Sequence, residues 1–231
     1  MTISEPAPAT TEALAQRTLG DIASQLPGAT AVFRKYKLDF CCGGNVALRE
    51  AAARKSLPLD ALAAELRAID PAGYAVPPDA TEPLIAHIVQ RYHQVHRREL
   101  PELVRLATRV EAVHRQHPEA PLGLADALKE MALELEAHMQ KEEAVLFPMM
   151  SAGTAMLGQP IAVMRHEHDE HGERLRHIEA LTHQTELPAD ACPTWRALYV
   201  GVRKLIDDLM EHIHLENNVL FPRFATTAPT H

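Results

Sequence analysis

His138-Met-Gln-Lys-Glu142-Glu143-Ala-Val145-Leu146-Phe147-Pro148 and His212-Ile-His-Leu-Glu216-Asn217-Asn218-Val219-Leu220-Phe221-Pro222 are two versions of one pattern. The same 74 residues separate His138 from His212, Glu142 from Glu216 and Pro148 from Pro222. In each, a histidine precedes a glutamate by four positions, which on a helix puts both on one face. An isolated exposed pair of this kind stabilises a helix by only about 0.2–0.5 kcal/mol. Two pairs at a constant offset instead mark an internal duplication, and the helices that carry them decide the fold.

Reading outward from the first pair, Leu124, Leu128, Met131, Leu135, His138, Glu142 and Val145 alternate steps of four and three. Leu198, Val202, Leu205, Leu209, His212, Glu216 and Val219 do the same around the second. This is the period of a core-facing stripe on a bundle helix. Two further stripes share it. One is Val89, His93, His96, Leu100, Leu103, Ala107 and Val110, on a helix expected from an N-cap at Thr81 to about His114. The other is Ile161, Met164, His168, His171, Leu175 and Ile178. Pro101 removes one hydrogen bond from the first of these helices and is expected to kink it. Turn formers separate the four: Pro118, Pro121 and Gly123, then Gly153 to Pro160, then Pro188 and Pro193. His93-x-x-His96-x-x-x-Leu100 also recurs 75 residues later as His168-x-x-His171-x-x-x-Leu175. The expected fold is all-α, an up-down four-helix bundle over residues 81–225 built as a duplicated hairpin with approximate two-fold symmetry.

Composition agrees. Hydrophobic residues make up 46% of the 231, enough for a sizeable core, while aromatics are only 4%. Ala, Leu, Glu and Arg are abundant and favour helix over sheet. A formal charge of −8 provides no basic face, which excludes nucleic acid as a partner class. No apolar run approaches the roughly 20 residues that span a bilayer, so no membrane partner is expected.

Ahead of the bundle, residues 1–16 read as a disordered tail without the features of a secretory signal. Residues 17–70 read as a small helical domain of three or four short helices, joined by a Pro- and Gly-containing linker, 71–80. Pro27-Gly28 separates the first two helices, and Asn45 is the expected N-cap of a helix from Val46 to Lys55. So small a head is expected to lean on a neighbour or a second subunit. Its chemical feature is Asp39-Phe40-Cys41-Cys42-Gly43-Gly44. Two adjacent cysteines at a Gly-rich bend can be buried packing residues, or accessible thiols for redox or metal chemistry. Cys192, beside Pro193, reads as structural. Three cysteines form no disulfide framework, which suits a reducing, cytoplasmic setting.

The stripes place two glutamates and several histidines where a core wants Leu, and an uncompensated buried carboxylate costs several kcal/mol. A hydrogen-bonded network compensates partly; bound cations satisfy carboxylates and imidazoles together. Imidazole plus carboxylate suits iron, manganese or zinc. Two symmetric sets suggest two metals with His93, His138, His168 and His212 as ligands and Glu142 and Glu216 bridging. With an oxide or hydroxide bridge allowed, coordination positions stay open for reaction. How the histidines divide between the metals is open. So are the roles of His96 and His171. Glu143 points off the stripe, to an outer role or to the surface, and His166 and His214 are expected to be solvated.

These residues resemble a known family, the iron–sulfur cluster repair di-iron proteins of the hemerythrin-like group. Phe33-Arg34-Lys35-Tyr36, Asp39 to Gly44, Arg91-Tyr92-His93, His138-x-x-x-Glu142, Glu167-His168-Asp169-Glu170 and His212 to Pro222 carry the resemblance. It implies a hemerythrin-like bundle with two non-haem iron ions at the six residues chosen above, bridged by two glutamates. It also implies a Cys-Cys head and a cytoplasmic role in restoring clusters in iron–sulfur proteins damaged by oxidative or nitrosative stress. Ordinary hemerythrins differ, with a second histidine on the third helix and an aspartate on the fourth. The expected function is supply of iron from a labile centre, with Cys41 and Cys42 assisting by thiol redox or iron transfer. Competing expectations are an O₂- or NO-binding sensor or carrier, a nitric oxide reductase, and a metal-free scaffold. Either a monomer or a homodimer is compatible with the sequence.

Overall fold

The computed structural model describes residues 10–154 and 156–224, helical elements joined by turns and loops with one isolated bridge between extended residues. Two units divide it: Met1–Pro77 with His214–Val219, and Pro78–Ile213 with Leu220–His231. In the second unit the bundle helices form as the stripes require. The rods are α6 (Thr81–Ile88) continuing into α7 (Gln94–Val113), α8 (Leu124–Lys141) continuing into α9 (Phe147–Ser151), α10 (Gly158–Leu181) and α11 (Pro193–His214). The α7 helix packs on α8, and α8 on α10. Leu100, Leu103, Ala107, Leu128, Met131, Leu135, Leu175, Leu198, Val202 and Leu209 are all buried. No helix among the described residues is long and apolar enough to cross a membrane.

Three of the four rods contain a widened turn closed by an i to i−5 hydrogen bond: Val89–His93, Glu142–Leu146 and Leu215–Leu220. In the first the Gln94 N–H donates to the Val89 carbonyl, and in the second the Phe147 N–H donates to that of Glu142. Each wide turn inserts one residue and slips the stripe by one position. Val145, expected in the core, is 53% exposed, and Leu146 is buried instead. Val219 is half-buried while Leu220 is fully buried, and Val89 yields its core place to Ile88. The third stripe has no wide turn and is buried at every expected position from Ile161 to Ile178. Pro148 and Pro222 explain two of the three turns. A proline ring clashes with the carbonyl four residues back, and an extra residue in the preceding turn relieves it. Pro101, by contrast, lies inside the continuous α7. Thr81 is the first residue of α6 rather than its cap, which is Ala80.

The first unit contains five short helices: α1 (Thr11–Gln16), α2 (Leu19–Gln25), α3 (Ala29–Lys35), α4 (Leu48–Arg54) and α5 (Leu59–Arg67). The expected disordered tail, 1–16, is wrong over its last part. Thr10 caps α1 by accepting the Ala13 N–H at 3.2 Å, and Leu14 and Ala15 are buried. Residues 1–9 lie outside the described residues. Asn45 does not cap α4; Ala47 does. Residues 46–48 first run extended beside 17–19, with Leu19 N–H bonded to Val46 O at 2.9 Å and Leu48 N–H to Arg17 O at 2.8 Å. That pairing delays the helix by two residues.

This unit has a core of its own, with Ile22, Phe33, Phe40, Leu48, Leu62 and Leu66 buried. Residues His214–Val219 belong to it. The His214 ring meets Phe40 edge-on at 5.5 Å, and its Nδ1 lies 3.1 Å from Asn218 Nδ2. His214 is therefore buried, not solvated as its position suggested. Burial lowers its pKa to about 4. Asn218 reaches the chain where two glycines leave room: a Cβ on either Gly20 or Gly44 would stand 2.6 Å from its Oδ1.

Candidate metal centre

All six ligands expected from the stripes come together, in two overlapping groups: His93, Glu142, His212 and Glu216, and His138, Glu142, His168 and Glu216. Within each group one donor atom from every residue lies within 4.8 Å of the others, and all six residues are buried. These groups divide the four histidines into two pairs. The wide turn Val89–His93 and α11 supply one histidine pair, α8 and α10 the other, and both glutamates belong to both groups. This arrangement obeys the two-fold axis of the duplication.

Glu142 is fully buried and neither of its oxygens has a hydrogen-bond partner. Oε1 faces His138 Nε2 at 3.4 Å and Oε2 faces His93 Nε2 at 3.5 Å. Leaving a carboxylate so costs several kcal/mol unless a cation meets it. The imidazoles point the same way. His93 Nε2 lies 3.0 Å from His212 Nε2, and His168 Nε2 lies 3.1 Å from His138 Nε2. Two nitrogens about 2.1 Å from one cation and at right angles stand about 3.0 Å apart. The donor set therefore fits a pair of cations, one per histidine pair, with a carboxylate oxygen of Glu142 for each.

Outer carboxylates set the tautomers. Glu143 Oε1 lies 2.7 Å from His93 Nδ1, and Glu167 Oε2 lies 2.8 Å from His138 Nδ1. A proton held on Nδ1 by such a partner leaves the Nε2 lone pair facing the site. Burial pushes the Glu143 carboxyl up, but hydrogen bonds from Arg97 and His93 prevail and hold it below the usual range. Glu167 is held down in the same way, against burial, by Lys141 and His138. Phe147 stacks on His93 and Phe221 on His168, both at 5.8 Å, so the repeated Phe also serves the site.

His96 and His171 are buried beside the centre but outside both groups. The His96 ring lies 5.5 Å from His212 and the His171 ring 4.9 Å from His138. Burial lowers both pKa values, that of His171 to about 2, so both imidazoles stay neutral. His166, as expected, is exposed. Cys192 lies 3.2 Å from His114 Nε2. Cys41 and Cys42 lie in the first unit and form a third donor group with Asp39. Sequence reasoning gave no role to Glu167 or to Asn217. The signals for them are adjacency to His168 and to Glu216 and their place in the motifs Glu167 to Glu170 and His212 to Pro222.

The duplication is not perfect around these outer residues. The position of Glu143 corresponds to Asn217 in the second half, and that of Glu167 corresponds to Tyr92 in the first. Tyr92 stacks on His212 at 5.6 Å with rings nearly parallel. Asn217 donates instead to the Cys41 carbonyl.

Comparison with known proteins agrees with this geometry. Residues 84–224 match the hemerythrin HHE cation binding domain, so this part of the chain is a cation-binding fold. Residues 15–70 match ScdA_N, a domain of unknown function. The chain is 46% identical over 216 residues to a protein of Dickeya chrysanthemi named iron-sulfur cluster repair protein YtfE, covering 90% of this chain and 96% of that one. Proteins of the same name from Citrobacter koseri and Escherichia coli O1:K1 are each 50% identical over 210 residues, covering 89% of this chain and 94% of theirs. The chain belongs to the iron–sulfur cluster repair family, whose bundle is the hemerythrin HHE cation-binding domain.

Proposed function

We propose that the two donor groups hold two iron ions and that the protein repairs iron–sulfur clusters damaged by oxidative or nitrosative stress by giving up that iron. His93 and His212 hold one ion, His138 and His168 the other, and Glu142 and Glu216 bridge them, with an oxo or hydroxo group between. The carrying observation is Glu142, a fully buried carboxylate whose two oxygens face histidines of different pairs. The repair names of the relatives support the choice of iron and of iron–sulfur proteins as targets.

The bound pair would supply exchangeable iron and redox capacity. The chain's own residues govern its release. Glu143 and Glu167 keep His93 and His138 in the metal-binding tautomer. His96 and His171, neutral and close, add no positive charge against a cation. Six protein donors shared between two ions leave positions for exchange. Cys41 and Cys42 assist as thiols, in redox or in iron transfer.

The test is restoration of activity to a damaged [4Fe–4S] enzyme by the purified, iron-loaded full chain. Wild type restores it, and Glu142→Leu, lacking one bridge, does not. Equal restoration by Glu142→Leu would overturn the assignment.

A further inference from the structure

Adjacent cysteines are ordinarily poor partners for one ligand, because successive side chains diverge. Here the bend turns them together. Cys41 Sγ lies 3.8 Å from Cys42 Sγ and 3.4 Å from Asp39 Oδ1, and neither cysteine is in a disulfide. A disulfide would hold the sulfurs about 2.0 Å apart, so forming one would require both side chains to move together. The spacing matches a different bond. Two thiolates about 2.3 Å from one tetrahedral cation stand about 3.8 Å apart, and a thiolate and a carboxylate oxygen about 3.6 Å apart.

The bend is also held in place. Asp39 Oδ1 accepts the backbone N–H of Cys42 and of Gly43, both at 3.0 Å. Asn218 Nδ2 donates to the carbonyls of Phe40 at 3.1 Å and Cys41 at 3.3 Å, and Asn217 donates to that of Cys41 at 3.2 Å. A loop fixed from both sides presents its donors without first having to be ordered. Cys41 is buried and Cys42 is half-buried.

We propose that Asp39, Cys41 and Cys42 form a mononuclear site for a thiophilic divalent cation, separate from the His/Glu centre and additional to its two ions. Two thiolates and one carboxylate hold the ion and leave the fourth tetrahedral position open, as in a site that exchanges its occupant. Binding displaces one proton from each thiol to solvent and forms two metal–sulfur bonds, with no change of oxidation state. Without the cation, the hydrogen bond with Cys42 and then burial hold the Cys41 thiol well above its usual pKa. The inference stands on the donors of the head alone and holds whether or not the repair reading is right.

Cobalt(II) is the probe, since only sulfur ligation produces an intense thiolate-to-cobalt charge-transfer band. The reduced full chain is titrated while absorbance is followed, and Cys42 alkylation is measured in parallel by mass spectrometry. Cobalt added beyond the two equivalents that the His/Glu centre can take should raise the band to one cobalt–thiolate site per chain and slow alkylation, and zinc should displace it. Cys41→Ser and Cys42→Ser should abolish the band, whereas Cys192→Ser and Glu142→Leu should retain it. Asp39→Asn keeps an oxygen for the two N–H groups but loses the charge, and should weaken binding about 10- to 100-fold. Absence of the band in reduced wild type, its survival in Cys41→Ser, or unchanged affinity in Asp39→Asn would each overturn the proposal. Alkylation protection in wild type reads the site even if a serine variant folds poorly.

Discussion

Asn217 donates its side-chain amide to the backbone carbonyl of Cys41 at 3.2 Å, joining residues 176 positions apart. Asn217 follows Glu216 directly, and its counterpart in the first half of the duplication, Glu143, holds a candidate metal ligand. One position in the repeat has thus taken two tasks. In the first half it orients His93, and in the second it secures the Cys-Cys bend.

Replacing Asn217 by Ala should therefore lower stability by about 1 kcal/mol, the effect of one buried hydrogen bond, because Asn218 still donates to the Cys41 carbonyl. The denaturant midpoint reads this loss. Alkylation of Cys42 should also quicken as the bend loosens. An unchanged rate would separate Asn217 from the bend.

Gly20 and Gly44 should resist alanine for the same reason. A Cβ at either meets Asn218 Oδ1 at 2.6 Å, and at Gly44 it also meets the Phe40 carbonyl at 2.8 Å. Each alanine should cost about 1–3 kcal/mol, the range for overpacking a filled core. Adding Asn218→Ala should relieve Gly20→Ala more than Gly44→Ala, because the backbone carbonyl that remains stands 3.0 Å from a Cβ at Gly20 but 2.8 Å from one at Gly44. Thermal melts of the double variants check the difference.

Glu143 and Glu167 lie outside both donor groups yet touch their histidines. Glu143→Ala and Glu167→Ala should each weaken metal binding about 10- to 100-fold with little change in fold. Competition against a chelator measures this. Unchanged affinity in both would mean that the tautomers of His93 and His138 are set by something else.

Asp208 offers a pH dependence away from the centre. Arg91 donates to it at 2.7 and 3.1 Å, and Lys204 at 2.7 Å. Burial pushes its carboxyl up, but these two cations outweigh burial and hold it below the usual range. A depressed carboxyl stabilises the fold fully above its unfolded value of about 3.9, and the contribution disappears as pH falls through the folded value. Asp208→Asn should cost about 1–2 kcal/mol at pH 7, discounted for the partly exposed Arg91. The gap between variant and wild type should narrow only below about pH 4. A gap that closes between pH 6 and 7 would point to another group.

Much of this was legible because a bundle writes its core as a period. The stripe histidines and glutamates came out buried because three- and four-residue steps keep one face turned inward. The wide turns were not legible, since a widened turn leaves the composition unchanged and only slips the register. Val89, Val145 and Val219 were misplaced for that single reason. His214 was misread differently: its environment comes from Phe40, far away in sequence, and no helical period reports it. Asn45 looked like a cap because local propensity ignores the pairing of 46–48 with 17–19.

A Glu142 bridge between two cations can be tested from both sides with Glu142→Leu. Without metal, the leucine removes a buried polar side chain whose two oxygens have no hydrogen-bond partner, so the variant should be more stable than wild type by about 1–3 kcal/mol. Iron-loaded wild type should overtake it. The decisive measurement is iron content per chain after anaerobic loading with ferrous iron and removal of the excess. Two ions per chain are expected in wild type and fewer than two in Glu142→Leu. Wild type that takes up none, or Glu142→Leu that retains two, would contradict the bridge.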